Sequence, residues 1–386
     1  TATENGELSK LFIQMLHGFK YLVATGQIKK TKKEINKSID LLTDYQIRTG
    51  MAGSLTYAAR QPIAVVFVMT IIFIQLVYFG EPLAPILVSI LLFYRSLNTT
   101  LGIQNSWQHT LEFIGSMELL HNEFKVQKKE QEKTGSTSIT KMVNSINFKD
   151  VDFYYGSKKG NILNDVSLSI KAKTTIAFVG KSGSGKSTII DLITLMLKPC
   201  KGSVLIDDVK GSDIDLESWR RQLGYVSQEA VIFNDTVANN ISMWSNINLE
   251  MKSIKEAAKQ ANIDNFIESL PQGYETIVGD RGMRLSGGQR QRLFIARELF
   301  RKPNLLMLDE ATSALDSESE FEIQKSIENL RGYITVIIVA HRLSTVKSAD
   351  CIYVLDNGFI VEKGSYKDLQ NTKDSHFSRL VELQSL

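Results

Sequence analysis

The sequence predicts an α/β domain around a largely parallel sheet, fused to an all-α region that meets a membrane. Three observations carry this. The loop Gly180-Lys181-Ser182-Gly183-Ser184-Gly185-Lys186-Ser187-Thr188 follows a short apolar, β-branched run at 174–179 and precedes an amphipathic stretch at 189–197. From about residue 141 strand-like and helix-like patterns alternate, with strands expected at 146–148, 175–179, 305–308 and 335–339. Upstream, residues 63–79 are seventeen positions without a charge, close to the minimum for crossing a bilayer core.

Strand, glycine loop and helix in that order make the context of a phosphate site. Glycines let the backbone wrap close to an anion so that amide N–H groups converge on it. The helix that follows adds free N–H groups and the positive end of its dipole. Lys186 would reach the outer phosphates of a nucleotide, and the Ser187 hydroxyl would help hold Mg²⁺. The bland alternative is a glycine-rich turn.

A chain of 386 residues has room for two or three domains. Its net charge of +3 is too small to argue for nucleic acid as a partner. Two cysteines, Cys200 and Cys351, make neither a disulfide framework nor a metal-ligand cluster, and read as reduced thiols without a role. The chain begins at Thr1 with no secretory pattern, which reads as a fragment.

Residues 8–60 hold no proline and repeat apolar positions at helical intervals, with breaks expected at Gly18 and Gly26. The run at 27–36 is strongly basic, by default a solvated helix face. The uncharged segment 63–79 ends at Gly80-Glu81-Pro82, and a second uncharged run at 83–94 is broken by Arg95 before the helical pattern continues to Leu101. Read as a pair, they form a transmembrane hairpin with spans at about 62–80 and 83–101. A buried core hairpin is the alternative, chiefly for the shorter second run. The tip lacks Lys and Arg, whereas Arg48, Arg60, Arg95, Lys125 and the lysine cluster flank the outer ends. By the positive-inside rule both flanks are cytoplasmic. Two spans are too few to line a transport pathway. Charged and polar residues with a Gly-Ser-Thr cluster mark a linker within 126–145.

Two further motifs carry chemistry. Leu305-Leu306-Met307-Leu308-Asp309-Glu310 is an apolar strand ending in two acids, which emerge at the carboxyl end of a parallel sheet, where ligands bind. Such a pair can orient a metal and a water, or merely cap the next helix. Leu285-Ser286-Gly287-Gly288-Gln289 precedes the periodic run 293–299, so Ser286 and the glycine amides open a helix and offer a second anion site.

Taken with Gln228, Ser313-Ala314-Leu315-Asp316 and His341, these motifs stand in a fixed order, and from about residue 8 to the end the chain resembles the C-terminal part of an ABC exporter half-transporter. The resemblance implies an α/β P-loop NTPase domain of the ABC ATPase type at 146–386. It also implies the C-terminal part of an all-α transmembrane domain at 1–130, truncated of its first four spans. Within that region a coupling helix near 11–24 would dock on the partner's nucleotide domain, and 102–125 would extend into the cytoplasm. ATP and Mg²⁺ are the implied cofactors. Residues 180–188 would cradle the phosphates and Tyr155 would stack on adenine. Ser187, Gln228 and Asp309 would hold Mg²⁺. Glu310, His341 and Gln228 would act on the attacking water and the γ-phosphate. Ser286, Gly287, Gly288, Gln289 and Asp316 would complete the nucleotide site of a second, head-to-tail copy, read as a homodimer.

The implied activity is ATP-driven export or flipping across the cell membrane, the chain being multi-pass with its nucleotide domain cytoplasmic. The neighbourhood 225–241 leans toward lipid or lipid-linked saccharide as substrate; peptide, protein or drug export is the alternative. A soluble ABC ATPase acting on nucleic acid or ribosomes conflicts with the hairpin, and a non-catalytic subunit conflicts with Glu310 and His341. Two departures stand out: Lys171-Ala172-Lys173 where the family commonly has glycine, and Asp280 where glutamate is commoner.

Overall fold

The computed structural model describes residues 2–79, 83–156, 160–311, 317–340, 342–372 and 375–385. They divide into two compact units, Thr1–Glu132 and Lys133–Leu386.

The first unit is helical: α1 (Ala2–His17), α2 (Phe19–Ala24), α3 (Ile28–Ile74), with a π-helical turn at Gln75–Phe79, and α4 (Leu83–Glu130). The two glycine breaks fall where the pattern puts them. Gly18 caps α2, and Gly26 takes φ of +66° between α2 and α3, a conformation glycine adopts at little steric cost. Ile35 and Leu42 are buried, whereas Val65, Met69, Phe73, Leu91 and Leu92 stand exposed. The Phe67 ring of α3 and the Phe93 ring of α4 lie 5.4 Å apart. Among the described residues one helix, over Gln61–Tyr78, is long and apolar enough to cross a membrane, and none of that window is buried within the chain. Among the described residues no such window falls on the second expected span, about 83–101. The hairpin tip at 80–82 lies outside the described residues. Of the stretch 126–145, residues 126–130 continue α4. Thr134, Gly135, Thr137, Ile139 and Met142 are bonded to residues 213–222 of the second unit.

In the second unit the strands are β1 (Ser145–Phe153), β2 (Leu163–Lys171), β3 (Thr175–Gly180), β4 (Lys201–Ile206), β5 (Val209–Lys210), β6 (Leu223–Val226), β7 (Leu305–Asp309), β8 (Thr335–Val339), β9 (Cys351–Asp356) and β10 (Phe359–Gly364). The helices are α5 (Lys186–Ile193), α6 (Leu216–Arg220), α7 (Val237–Ser242), α8 (Ile247–Gln260), α9 (Asp264–Ser269), α10 (Gly287–Phe300), α11 (Ser317–Leu330), α12 (Tyr366–Asn371) and α13 (His376–Ser385). The expected parallel sheet is present in the order β10-β9-β3-β8-β7-β6, with only β10 antiparallel. A second sheet, β2-β1-β4-β5, is antiparallel throughout; the sequence reading placed a strand at 146–148 without seeing its partners. Alternation explains the two layers. Ile176, Phe178, Ile337, Val339, Tyr353 and Leu355 face one core, shared with β1, β2 and α5. Their neighbours Ala177, Val179, Leu306, Leu308, Ile338 and Val354 face a second core, shared with α7, α8, α10 and α11.

The Lys171–Lys173 departure has a visible cost. Lys173 occupies the turn before β3 with φ of +62°, a left-handed conformation that costs a non-glycine residue on the order of 1–2 kcal/mol. Its N–H donates to Thr335 Oγ1 at 2.8 Å, which holds the turn to the start of β8.

Candidate functional site

Because β3, β7 and β8 run parallel, their carboxyl ends open on the same edge, and the loop 180–188 and the acid pair meet there. Two of the loop's glycines are required by geometry. Gly180 has φ of +152°, and a Cβ on it would lie 2.2 Å from the Leu355 carbonyl oxygen; Gly185 has φ of +102°, and a Cβ would meet Leu163 Cδ2 at 2.5 Å. The loop thus folds as an open cradle: Lys181, Ser182, Gly183 and Ser187 are exposed, whereas Ser184, Lys186 and Thr188 are buried. The Ser184 hydroxyl has no hydrogen-bond partner within the protein, which leaves it able to donate to a bound anion.

Lys186 is bent back into the loop. Its Nζ donates to the Gly180 and Lys181 carbonyls at 2.9 and 2.8 Å. Burial lowers its pKa, while Glu310 and Asp309 act in the opposite sense. Asp309, the last residue of β7, accepts from the Ser187 hydroxyl at 3.4 Å and from the Tyr225 hydroxyl at 3.3 Å. Burial raises the Asp309 pKa. The hydrogen bond from Tyr225 opposes that rise, Glu310 adds to it, and Ser187 and Lys186 oppose it. Burial and the Asp309 charge push the Tyr225 phenol up to about 12, so it stays a donor. Burial raises the pKa of Asp191 on α5 too, with Asp309 adding to the shift.

A carboxylate pushed up by burial beside a serine hydroxyl is a hard-oxygen donor set, which suits Mg²⁺ and disfavours softer metals. Ser187 and Asp309 would hold the ion, and its charge would offset that of the phosphates when bound. Glu310 follows at φ of +52°, a left-handed backbone that costs a non-glycine residue about 1–3 kcal/mol. Its N–H donates to the Val339 carbonyl at 3.0 Å, so β8 fixes the direction in which Glu310 leaves the sheet.

The other expected site residues divide. Tyr155 is exposed, and its ring stands nearly perpendicular to that of Phe153 at 4.9 Å. Gln228 is exposed on the loop after β6. Ser286 caps α10 in a reciprocal box: its hydroxyl accepts from the Gln289 N–H at 3.2 Å, and the Gln289 side-chain oxygen accepts from the Ser286 N–H at 2.8 Å. Ser286 and Gly287 are exposed, whereas Gly288 is buried against α11. His341 and Asp316 lie outside the described residues. Tyr225 and Asp191 were missed as candidates. Only Asp191 had a local signal, lying one helical turn beyond Ser187; Tyr225 comes beside the acid pair through its pairing with Met307 on a strand distant in the chain.

Gly288 explains itself by packing. A Cβ there would lie 2.1 Å from Ser319 Oγ and 2.4 Å from Ser319 Cβ. Gly288→Ala should therefore cost about 1–3 kcal/mol as an overpacked contact and lower the thermal midpoint. Ser319→Gly in the same chain should recover most of the loss, whereas Ser319→Ala should not, and calorimetry of the three variants checks this.

A phosphate cradle, a buried lysine and an acid pair on parallel strands define a P-loop ATPase domain. Residues 163–313 match the ABC transporter family model. The heterocyst differentiation ATP-binding protein HepA of Nostoc sp. is 36% identical over 95% of this chain and 60% of its own length. The ATP-dependent lipid A-core flippases of Haemophilus influenzae and Vibrio cholerae are 37% and 36% identical, over 94% and 99% of this chain and 62% and 66% of theirs. A solved structure of a bacterial Atm1-family ABC exporter with ATP bound has a TM-score of 0.85 at 29% identity, covering 100% of this chain and 68% of that one. The chain thus spans 60% to 66% of the length of these three curated relatives. It belongs to the ABC transporter family, with an ATP-binding ABC ATPase domain and likeness to the exporters along its whole length.

Proposed function

We propose that the chain is the C-terminal part of a half-transporter that hydrolyses ATP, with Mg²⁺, to export or flip a substrate across a cell membrane. One observation carries the reading: the buried Lys186 and the acid pair Asp309-Glu310 meet in a nucleotide-type site on the same chain as the apolar helix window Gln61–Tyr78. Lys186 and the loop amides bind the phosphates, Ser187 and Asp309 with Gln228 hold Mg²⁺, and Glu310 with His341 directs the attacking water. Ser286 and Gly287, exposed at the start of α10, serve the nucleotide of a second copy, as does Asp316, so the working unit is a head-to-tail homodimer. The domain bounds read from the sequence, 1–130, a linker within 126–145, and 146–386, are retained in this proposal. Lipid or lipid-linked saccharide is the proposed cargo, and it is supported by the named function of the two flippases at 36–37% identity.

Hydrolysis by a dimer rises faster than linearly with protein concentration. Specific ATPase activity should fall on dilution toward the monomer, and should be retained in the membrane fraction after carbonate washing. Activity strictly proportional to concentration down to the monomeric range contradicts the composite site; a chain that washes off the membrane contradicts the transporter reading.

A further inference from the structure

Arg297, on α10, is buried at 4% exposure. Its hydrogen bonds run to carbonyl oxygens: Nη1 donates to Val231 O at 2.6 Å, Nε to Asn240 O at 2.6 Å, and Nη2 to Asn240 Oδ1 at 3.0 Å. The guanidinium lies 5.1 Å from the Phe233 ring centre and 5.3 Å from that of Phe294. The neighbouring Glu298 turns elsewhere, accepting from the Tyr225 N–H at 3.2 Å and from Arg301 at 3.3 Å. A buried cation on neutral oxygens is costly to desolvate. What only the planar fork supplies is simultaneous hold on two chain segments.

Those segments border Gln228. Val231 and Phe233 lie on the loop that follows it. Asn240, fully buried on α7, bonds both the N–H and the carbonyl of Phe233, at 2.9 and 3.0 Å. On the other side of Gln228, Gln291 donates to Ser227 O at 3.3 Å. Helix α10 therefore grips the 225–233 segment on both flanks of an exposed glutamine, while its own first residues present Ser286 and Gly287 to solvent.

We propose that Arg297 is a positioning residue that locks the Gln228 loop to α10, so that the loop serving one nucleotide and the helix end serving the partner's move as one body. This rests on the roles of Gln228 and Ser286 under the proposed function. The test is Arg297→Lys in the full chain, which keeps the charge and loses the fork. Affinity for a fluorescent ATP analogue should stay within about twofold and KM likewise, while kcat falls at least about tenfold. Amide exchange at 229–234 should quicken at least about tenfold, with 291–299 still protected. Loss of kcat without faster loop exchange, faster exchange without loss of kcat, or equal loosening of α10 would each overturn the proposal. If that variant does not fold, Arg297→Gln keeps a neutral hydrogen-bond donor at the position and loses the fork. It should shift kcat and loop exchange in the same directions, and no shift in either refutes the lock. Wild-type chain that binds nucleotide and hydrolyses none would defeat the proposed function; the exchange measurement would still report whether Arg297 holds the loop.

Discussion

Glu310→Gln should leave ATP binding intact and reduce phosphate release by about 10²- to 10⁴-fold, the range expected when a positioned general base is removed. The substitution preserves size and hydrogen-bonding capacity, so the backbone at φ of +52° and the bond from its N–H to Val339 O are retained. Removing one of two adjacent carboxylates also relieves repulsion toward incoming phosphates. Nucleotide affinity should therefore hold or rise, and ATP should accumulate on the protein and stabilise the proposed dimer. Single-turnover phosphate release beside a binding titration separates the effects. Hydrolysis at the wild-type rate would show that another group activates the water. A matched loss of affinity would show that Glu310 works through binding.

Lys186→Ala should act on the other parameter. The ammonium bridges the Gly180 and Lys181 carbonyls and lies under the influence of Glu310 and Asp309. Its removal takes from the acid pair a cation coupled to both and would take away a charge-assisted bond to the nucleotide. Hydrogen bonds to charged groups are worth roughly 1.5–3 kcal/mol each, so ATP affinity should fall on the order of 10- to 100-fold at fixed Mg²⁺. Lys186→Arg should not restore it, because a planar fork cannot reproduce a compact ammonium seated between two carbonyls. Equilibrium titration with a fluorescent ATP analogue measures both variants. Unchanged affinity in Lys186→Ala would remove that residue from the phosphate site.

The two substitutions divide the site along lines that were readable in the residues. The loop 180–188, with the apolar strand before it, carries its chemistry in one contiguous stretch, and the geometry it needs, positive φ at Gly180 and Gly185, follows from glycine alone. Asp309-Glu310 was legible for the same reason: an apolar run that must be buried, ended by two charges that must not be. The breaks at Gly18 and Gly26 likewise follow from local backbone freedom.

Other features depend on partners distant in the chain. Tyr225 reads as one more apolar strand residue until β6 is laid against β7, where its hydroxyl reaches Asp309. Gly288 reads as a phosphate-facing glycine until α11 brings Ser319 against it. Arg297 reads as a surface charge on an amphipathic helix, yet folding buries it among carbonyls supplied from 57 and 66 positions away. Part of the antiparallel sheet was invisible because the β1–β4 pairing joins residues on either side of the phosphate loop.

By itself, the sequence determined which loop is proposed to bind phosphate and where strands meet loops, because those properties reside in consecutive residues and their backbone preferences. Only the tertiary structure decided which buried polar groups hold them in place. A buried charge or hydroxyl is tolerated only with partners, and those partners are chosen by packing between elements rather than by neighbours in the chain.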